Sequence, residues 1–427
     1  MTEAYPEFRP ATLPRWAPVR QRLDDSRLPD AAAATRAALD AVAVSVHPGM
    51  RVCVAAGSRG IDRIGEVVGA VVGRLQEAGA TVFIVPAMGS HGGATAAGQL
   101  AVLAGYGITP EAMGCEIRSS MDTVELGTVH PGIPVFIDRH AFDGADLIVP
   151  VNRVKPHTGF AGPIESGLMK MLAIGLGKQR GADTFHRRGY DDFARLIPAV
   201  ARHTMAHAPV GFGVALVEDG HGHLAHVEAI PADRIEAREA ELLALARTRM
   251  PRLPLDDIDV LVLDLIGKDI SGTAMDPNVI GRAKAGAVDT GPRIGRIVVR
   301  GLTAATEGNA SGIGFGDVAL RRAVAAVDER KTYLNSITAK DVEGAKLPVT
   351  VDTDRDALAL AIAACVRVEA ASARIVRARS TKDLEHLWIS EPALDDVLAG
   401  GRCELLGPPR PITFDASGML PEEPPTA

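Results

Sequence analysis

Short, almost unbroken apolar runs alternate with amphipathic helical stretches along the first 250 residues, and this alternation leaves few folds open. Met50 to Ala56 (MRVCVAA), Ala80 to Pro86 (ATVFIVP) and Asp146 to Asn152 (DLIVPVN) have the length and composition of strands buried on both faces. Between the first two, Ile61 to Ala78 places apolar residues at 61, 64, 67, 68, 71, 72 and 75, the spacing of one helix face. An alanine-rich helical stretch, Ala31 to Val46, precedes the first strand, and a helix starting at Ala94 follows the second. Gly211 to Val217 and His223 to Ile230 read as further strands. A strand that is apolar on both faces needs cover on both, so the pattern predicts an α/β fold with a doubly wound, mostly parallel sheet. Ligands bind outside the carboxyl ends of the strands in such sheets.

A chain of 427 residues exceeds what one ordinary core serves, and two domains are expected. The helix Ala232 to Met250 ends at Pro251, Pro254 follows, and Ile258 to Ile266 begins a new strand. We therefore expect an N-terminal α/β domain over residues 1–252, which includes a polar leader, and a smaller C-terminal α/β domain over 253–406. In the latter, Arg296 to Arg300 reads as a strand, and Asp317 to Val327 and Arg355 to Arg377 as helices. The proline-rich residues 407–427 read as an extended tail. The active site is expected in the cleft between the domains. A net charge of −7 gives no electrostatic reason for nucleic acid or an anionic membrane as partner. The polar start lacks the features of a secretory signal, and no run of eighteen apolar residues predicts a membrane span. Four scattered cysteines (Cys53, Cys115, Cys365, Cys403) form no disulfide framework or zinc ribbon, which fits the cytoplasm.

Chemistry concentrates between Val151 and His186, VNRVKPHTGFAGPIESGLMKMLAIGLGKQRGADTFH. His157 opens it in a Pro-Gly-rich turn after a strand. Lys170 emerges from the apolar neighbours Leu168, Met169, Met171, Leu172, Ile174 and Leu176, and His186 follows sixteen residues later. Each alone reads as a surface lysine or an incidental histidine. Together they favour a site, because imidazole is the usual metal ligand and exchanges protons near neutrality. Arg59, in AAGSRGIDR, follows a strand at a helix start, where backbone amides and a guanidinium suit an anion. His91, in PAMGSHGGAT, sits in a glycine loop that lets backbone approach a ligand. Ser58-Arg59, His91 and His157 all follow strand ends, so three motifs point toward one crevice.

This constellation resembles the nickel-dependent lactate racemase family. The resemblance rests on Pro156-His157, Gly159-Phe160, Gly162 and Gly167, then Lys170, Gly175 and His186. It implies a racemase or epimerase of a 2-hydroxy acid, acting by reversible hydride transfer through a 2-keto acid. The implied cofactor is a nickel-pincer nucleotide, pyridinium-3-thioamide-5-thiocarboxylic acid mononucleotide with Ni(II). Lys170 would carry the thioamide tether and His186 would be the one side chain on the metal, a soft, square-planar setting that suits Ni(II). Arg59 would hold substrate, and cofactor-synthesis proteins would be partners in maturation. Lys178 competes for the tether, but the glycine five residues after Lys170 matches the family better. Two departures stand out: Gly92 replaces an arginine that normally follows the loop histidine, and Pro163-Ile164-Glu165 looks like an insertion.

Two histidines have a chemical rationale beside such a cofactor. The C2 hydrogen of a 2-hydroxy acid is barely acidic, whereas removing it as hydride needs a base for the hydroxyl proton and an acceptor that no side chain provides. Two enantiomers put the hydroxyl in two places, hence two bases, His91 and His157. In the second domain, the polar loop Ile266 to Arg282 follows a buried strand, and Lys268 and Arg282 are assigned to substrate carboxylate or cofactor phosphate. His221, His223 and His226 form a rival metal cluster, but strand alternation puts His226 on the opposite face. The glycine runs IGLGKQRGA and SGIGFGD lack the context of a dinucleotide fingerprint. The alternatives are an NAD-dependent 2-hydroxy acid dehydrogenase and a non-catalytic metal- or nucleotide-binding protein. The reacting centre is common to lactate, malate, aryl lactates and sugar acids.

Overall fold

A computed structural model of the chain describes residues 5–42, 46–58, 60–130, 132–282 and 291–422. It divides into two compact units, Asp24–Met250 and a second formed by Met1–Leu23 with Pro251–Ala427. No helix among the described residues is long and apolar enough to cross a membrane.

The Asp24–Met250 unit is built on a six-stranded sheet in the order Glu116–Ile117, Thr81–Pro86, Arg51–Ala56, Leu147–Arg153, Phe212–Glu218, Leu224–Pro231. The first five strands run parallel and the last is antiparallel. Alternate side chains of the central strands feed two cores, as the strand period of two requires. Cys53, Ala55, Phe83 and Val85 pack with Met169, Leu172, Phe185 and Leu196. Val52, Val54, Val82 and Ile84 pack instead with Val67, Val68 and Val71 of the helix Ile64–Glu77. Each Val, Leu, Ile, Phe or Met side chain so buried contributes ~1.5–3 kcal/mol, which is why the unbroken apolar runs form these strands. The Ala-rich segment ends its helix at Asp40, short of the expected Val46, and Asp30 caps it by accepting from Ala33 N–H.

From Arg51–Ala56 the chain moves outward to Thr81–Pro86 on one side, and later places Leu147–Arg153 on the other. The carboxyl ends of Arg51–Ala56 and Leu147–Arg153 therefore flank the topological switch point, where open α/β sheets bind ligands. Ser58, the His91 loop and the His157 turn all leave the sheet at that end.

The second unit holds a nine-stranded mixed sheet. Val349–Val351, Val318–Leu320, Arg293–Val299, Asp257–Leu263 and Ile375–Ala378 run parallel, followed by antiparallel His386–Ser390, Arg15–Gln21 and Cys403–Leu405, with Arg410–Pro411 also pairing with Arg15–Gln21. Four expectations are corrected here. The leader is no part of the N-terminal domain: Arg15–Gln21 is an interior strand, and its Trp16 stacks on Trp388 at 5.0 Å. Val318–Leu320 is a strand, and the helix begins only at Arg321. The helix expected over Arg355 to Arg377 stops at Ala363, because β-branched Ile375 and Val376 pair with Asp257–Leu263 instead. The tail is not simply an extended segment, since over its described residues it is packed on the unit: Leu420 is buried, and the Leu420 and Pro421 carbonyls accept from Arg300 and Arg377. Those two arginines are themselves buried against Asp264 and Asp354.

Candidate active site

The His91 loop is shaped by backbone contact. Gly92 has a φ of +67°, and a Cβ there would press on the Gly98 and Gln99 backbone. No arginine fits at this position without moving the loop, which accounts physically for its replacement. Buried Gln99 holds the loop from beneath, donating from Nε2 to the carbonyls of Gly89 (2.8 Å) and His91 (3.3 Å). Ser58 Oγ lies 2.7 Å from His91 Nδ1. When Nδ1 carries the proton and donates to Ser58, Nε2 is left as the basic nitrogen.

His157 belongs to a closed loop. Lys155 and Ser166 exchange backbone hydrogen bonds at 3.0 and 3.3 Å and pinch its ends together. Inside it, the buried Glu165 carboxylate accepts from His157 N–H (2.5 Å) and Gly162 N–H (3.0 Å) and is paired with Arg247. The segment that looked like an insertion thus supplies the group that organises the histidine turn. Gly159 N–H donates to His157 Nδ1 at 2.9 Å, so the neutral ring carries its proton on Nε2.

Lys170 closes one helical turn, Leu168–Lys170, and is followed at once by a π-helical turn, Met171–Gly175. Such turns are rare and concentrate at functional sites. Lys170 is half-buried between buried Met169 and Met171. Gly175 explains its own place in the motif: its Cβ would stand 2.6 Å from the Ala87 carbonyl oxygen, and its own carbonyl accepts from Gly89 N–H at 3.0 Å. The lysine segment and the His91 loop are thereby locked together.

Lys178 has a different fate. Its ammonium is fully buried 3.0 Å from Asp138 and donates to the Pro86 carbonyl (2.5 Å) and Gln99 Oε1 (3.1 Å). Burial lowers its pKa, opposed by Asp138. It is a structural cation beneath the His91 loop.

The helix Ile235–Arg249 provides a second hidden carboxylate. Glu239 is fully buried, and its Oε2 accepts from Met169 N–H at 3.0 Å at the start of the lysine helix. Gly167 leaves room for it, since a Cβ there would stand 2.5 Å from the carboxyl carbon. Burial pushes the Glu239 carboxyl up to about 7, against the pull of the Met169 and Leu168 amides. Between its ordinary 4.5 and about 7, the folded chain keeps a proton that the unfolded chain has released. Stability therefore falls as pH rises through that window, by on the order of 3 kcal/mol. Glu239→Gln is expected to flatten this part of the curve, as measured by denaturant unfolding from pH 5 to 8. An unchanged slope would contradict the assignment.

His186 ends the helix Lys178–His186. Its ring lies 6.0 Å from Tyr190 and 5.8 Å from Phe193, and His157 also stands 6.0 Å from Tyr190. Both histidines thus converge on one tyrosine. Arg59 lies outside the described residues. Lys268 and Arg282 belong to the second unit. Lys268 donates to the Gly272 carbonyl. Arg282 pairs with Asp317 at 2.6 Å and donates to the carbonyls of Phe315, Ile294 and Gly295, a structural use of its guanidinium. The sequence reading passed over Glu165, Arg247, Gln99 and Glu239. Of these, Glu239 left a signal: it falls on the apolar stripe Ile235, Leu242, Ala246 of its helix.

The geometry defines a class: a doubly wound α/β unit whose switch point gathers a lysine and histidines from separate loops. A family model of the lactate racemase N-terminal domain matches residues 24–194, within the Asp24–Met250 unit. The fold of the chain is that of the lactate racemase apoprotein from Thermoanaerobacterium thermosaccharolyticum, with a TM-score of 0.51 at 14% identity, over 89% of this chain and 95% of that one. A protein from Thermotoga maritima is similar at a TM-score of 0.49 and 14% identity, over 75% of this chain and 84% of that one. No curated protein matches the sequence.

Proposed function

We propose that this racemase-type protein inverts the configuration of a 2-hydroxy acid with a nickel-pincer nucleotide tethered to Lys170 and bound through His186. The observation that carries the reading is the convergence on one sheet end. Gly175 locks the Lys170 segment to the His91 loop, and Tyr190 stands between His157 and His186. The donor set fits the group: a half-buried amine for the tether and a half-buried imidazole for the metal, with Lys178 already committed to Asp138. When bound, the cofactor supplies the acceptor that takes the C2 hydrogen with its electron pair and returns it.

The chain's own residues then manage the proton. His91 takes the hydroxyl proton of one enantiomer at Nε2, with Nδ1–H held by Ser58. His157 serves the other enantiomer. In its neutral form it presents Nε2–H, so it starts as a donor to a substrate oxygen. To act as base there, it must move its proton to Nδ1 and give up the Gly159 bond. Arg59 is the proposed ligand of the substrate. Proteins that build the cofactor are the expected partners, and the cytoplasm the expected compartment.

Heavy water separates this chemistry from simple deprotonation. Incubated with single enantiomers of lactate, malate, an aryl lactate and a sugar acid, the cofactor-loaded protein is expected to racemise one class with its C2 hydrogen retained. Deuterium washed into C2 at the rate of racemisation would contradict the hydride reading. Net redox turnover with added NAD would favour the dehydrogenase alternative.

A further inference from the structure

We propose that Asp219, His223 and Asp25 form a divalent-cation site at the tip of the hairpin between Phe212–Glu218 and Leu224–Pro231. It uses none of the residues assigned above. The turn EDGHGH is folded by Asp219, whose Oδ1 accepts from the N–H groups of His221 (2.9 Å) and His223 (2.8 Å). That leaves Oδ2 on a side chain with no exposed surface and, among the described residues, no hydrogen-bond partner. His223 Nδ1 is likewise buried and without a partner, 3.6 Å away.

Buried lone pairs that find no donor are costly, and 3.6 Å is too long for a hydrogen bond between the two groups. The spacing suits a shared metal instead. Oxygen and nitrogen ligands ~2.0–2.2 Å from a tetrahedral zinc stand roughly 3.4 Å apart. Asp25 adds a third donor, and the ligand atoms of all three residues lie within 4.8 Å of one another. Asp25 is exposed, but its backbone is held against the hairpin on both sides. Gly220 N–H donates to the Asp24 carbonyl at 3.0 Å, and Leu28 N–H to the Leu224 carbonyl at 2.8 Å. The His221 ring stacks beside His223 with centroids 5.9 Å apart, which limits where the imidazole can turn. Two carboxylates and one imidazole favour a borderline cation over Mg²⁺, which prefers oxygen ligands and keeps its waters. Three protein ligands also leave a coordination position open.

The test uses the full chain, stripped with chelator and made without cofactor, dialysed against Zn²⁺ and read as metal per chain. Wild type and His186→Ala are both expected to bind one equivalent at this site, undisplaced by millimolar Mg²⁺. His223→Gln and Asp25→Asn leave the Asp219 Oδ1 turn contacts in place and are expected to bind roughly tenfold or more weakly. Zn²⁺ should also raise the melting temperature of wild type but of neither variant, since binding only the folded state stabilises it. Wild-type affinity in both variants, loss of the equivalent in His186→Ala alone, or no zinc-dependent melting shift in wild type would overturn the proposal.

Discussion

Replacing Lys178 with methionine is expected to destabilise the protein by about 3–5 kcal/mol, whereas Lys170→Ala changes its stability little. The two lysines are eight residues apart and differ completely in surroundings. Lys178 is fully buried against Asp138, Pro86 and Gln99, so its loss leaves the Asp138 carboxylate charged in a dry core. Lys170 is only half-buried. Against a typical total of about 5–15 kcal/mol, the first loss is large. It should also loosen the His91 loop, because Gln99 spans Lys178 and the Gly89 and His91 carbonyls. Urea unfolding of the two variants measures the contrast. Equal midpoints would show that Lys178 is not the buried cation described.

Racemisation is expected to fall by about 10²–10⁴ when either His91 or His157 is replaced by asparagine, the usual worth of a positioned general base. The loss should be the same in both directions, because the equilibrium constant fixes the ratio of forward and reverse rates. His207, exposed and stacked on His203, serves as the control, and His207→Asn should keep full activity. Initial rates from each enantiomer decide the matter. A variant that retained rapid conversion from one enantiomer but not the other would break the equilibrium constraint and point to a different reaction.

Much of this was legible in the chain because strands buried on both faces leave an unmistakable pattern. The loops that follow such strands are where ligands bind, so Arg59, His91 and His157 stood out without any contact being known. Lys170 was visible as a charge among apolar neighbours, and Gly175 acquires a reason in the Ala87 carbonyl it lets approach. What stayed hidden depends on pairing at a distance. Glu165 becomes an organiser only once Lys155 and Ser166 close the loop and Arg247 arrives from a later helix. The burial of Lys178 depends on Asp138, forty residues earlier. Arg15–Gln21 is a strand only because His386–Ser390 and Cys403–Leu405 flank it, and no local pattern announces partners so remote.

The tether itself offers the most direct test, because it needs no knowledge of the substrate. Protein made together with the cofactor-synthesis machinery should gain mass over protein made without it. Peptide mapping should place that addition on Lys170, and nickel that survives chelator treatment should depend on His186 and not on His223. An addition on Lys178, or on no lysine at all, would contradict the account.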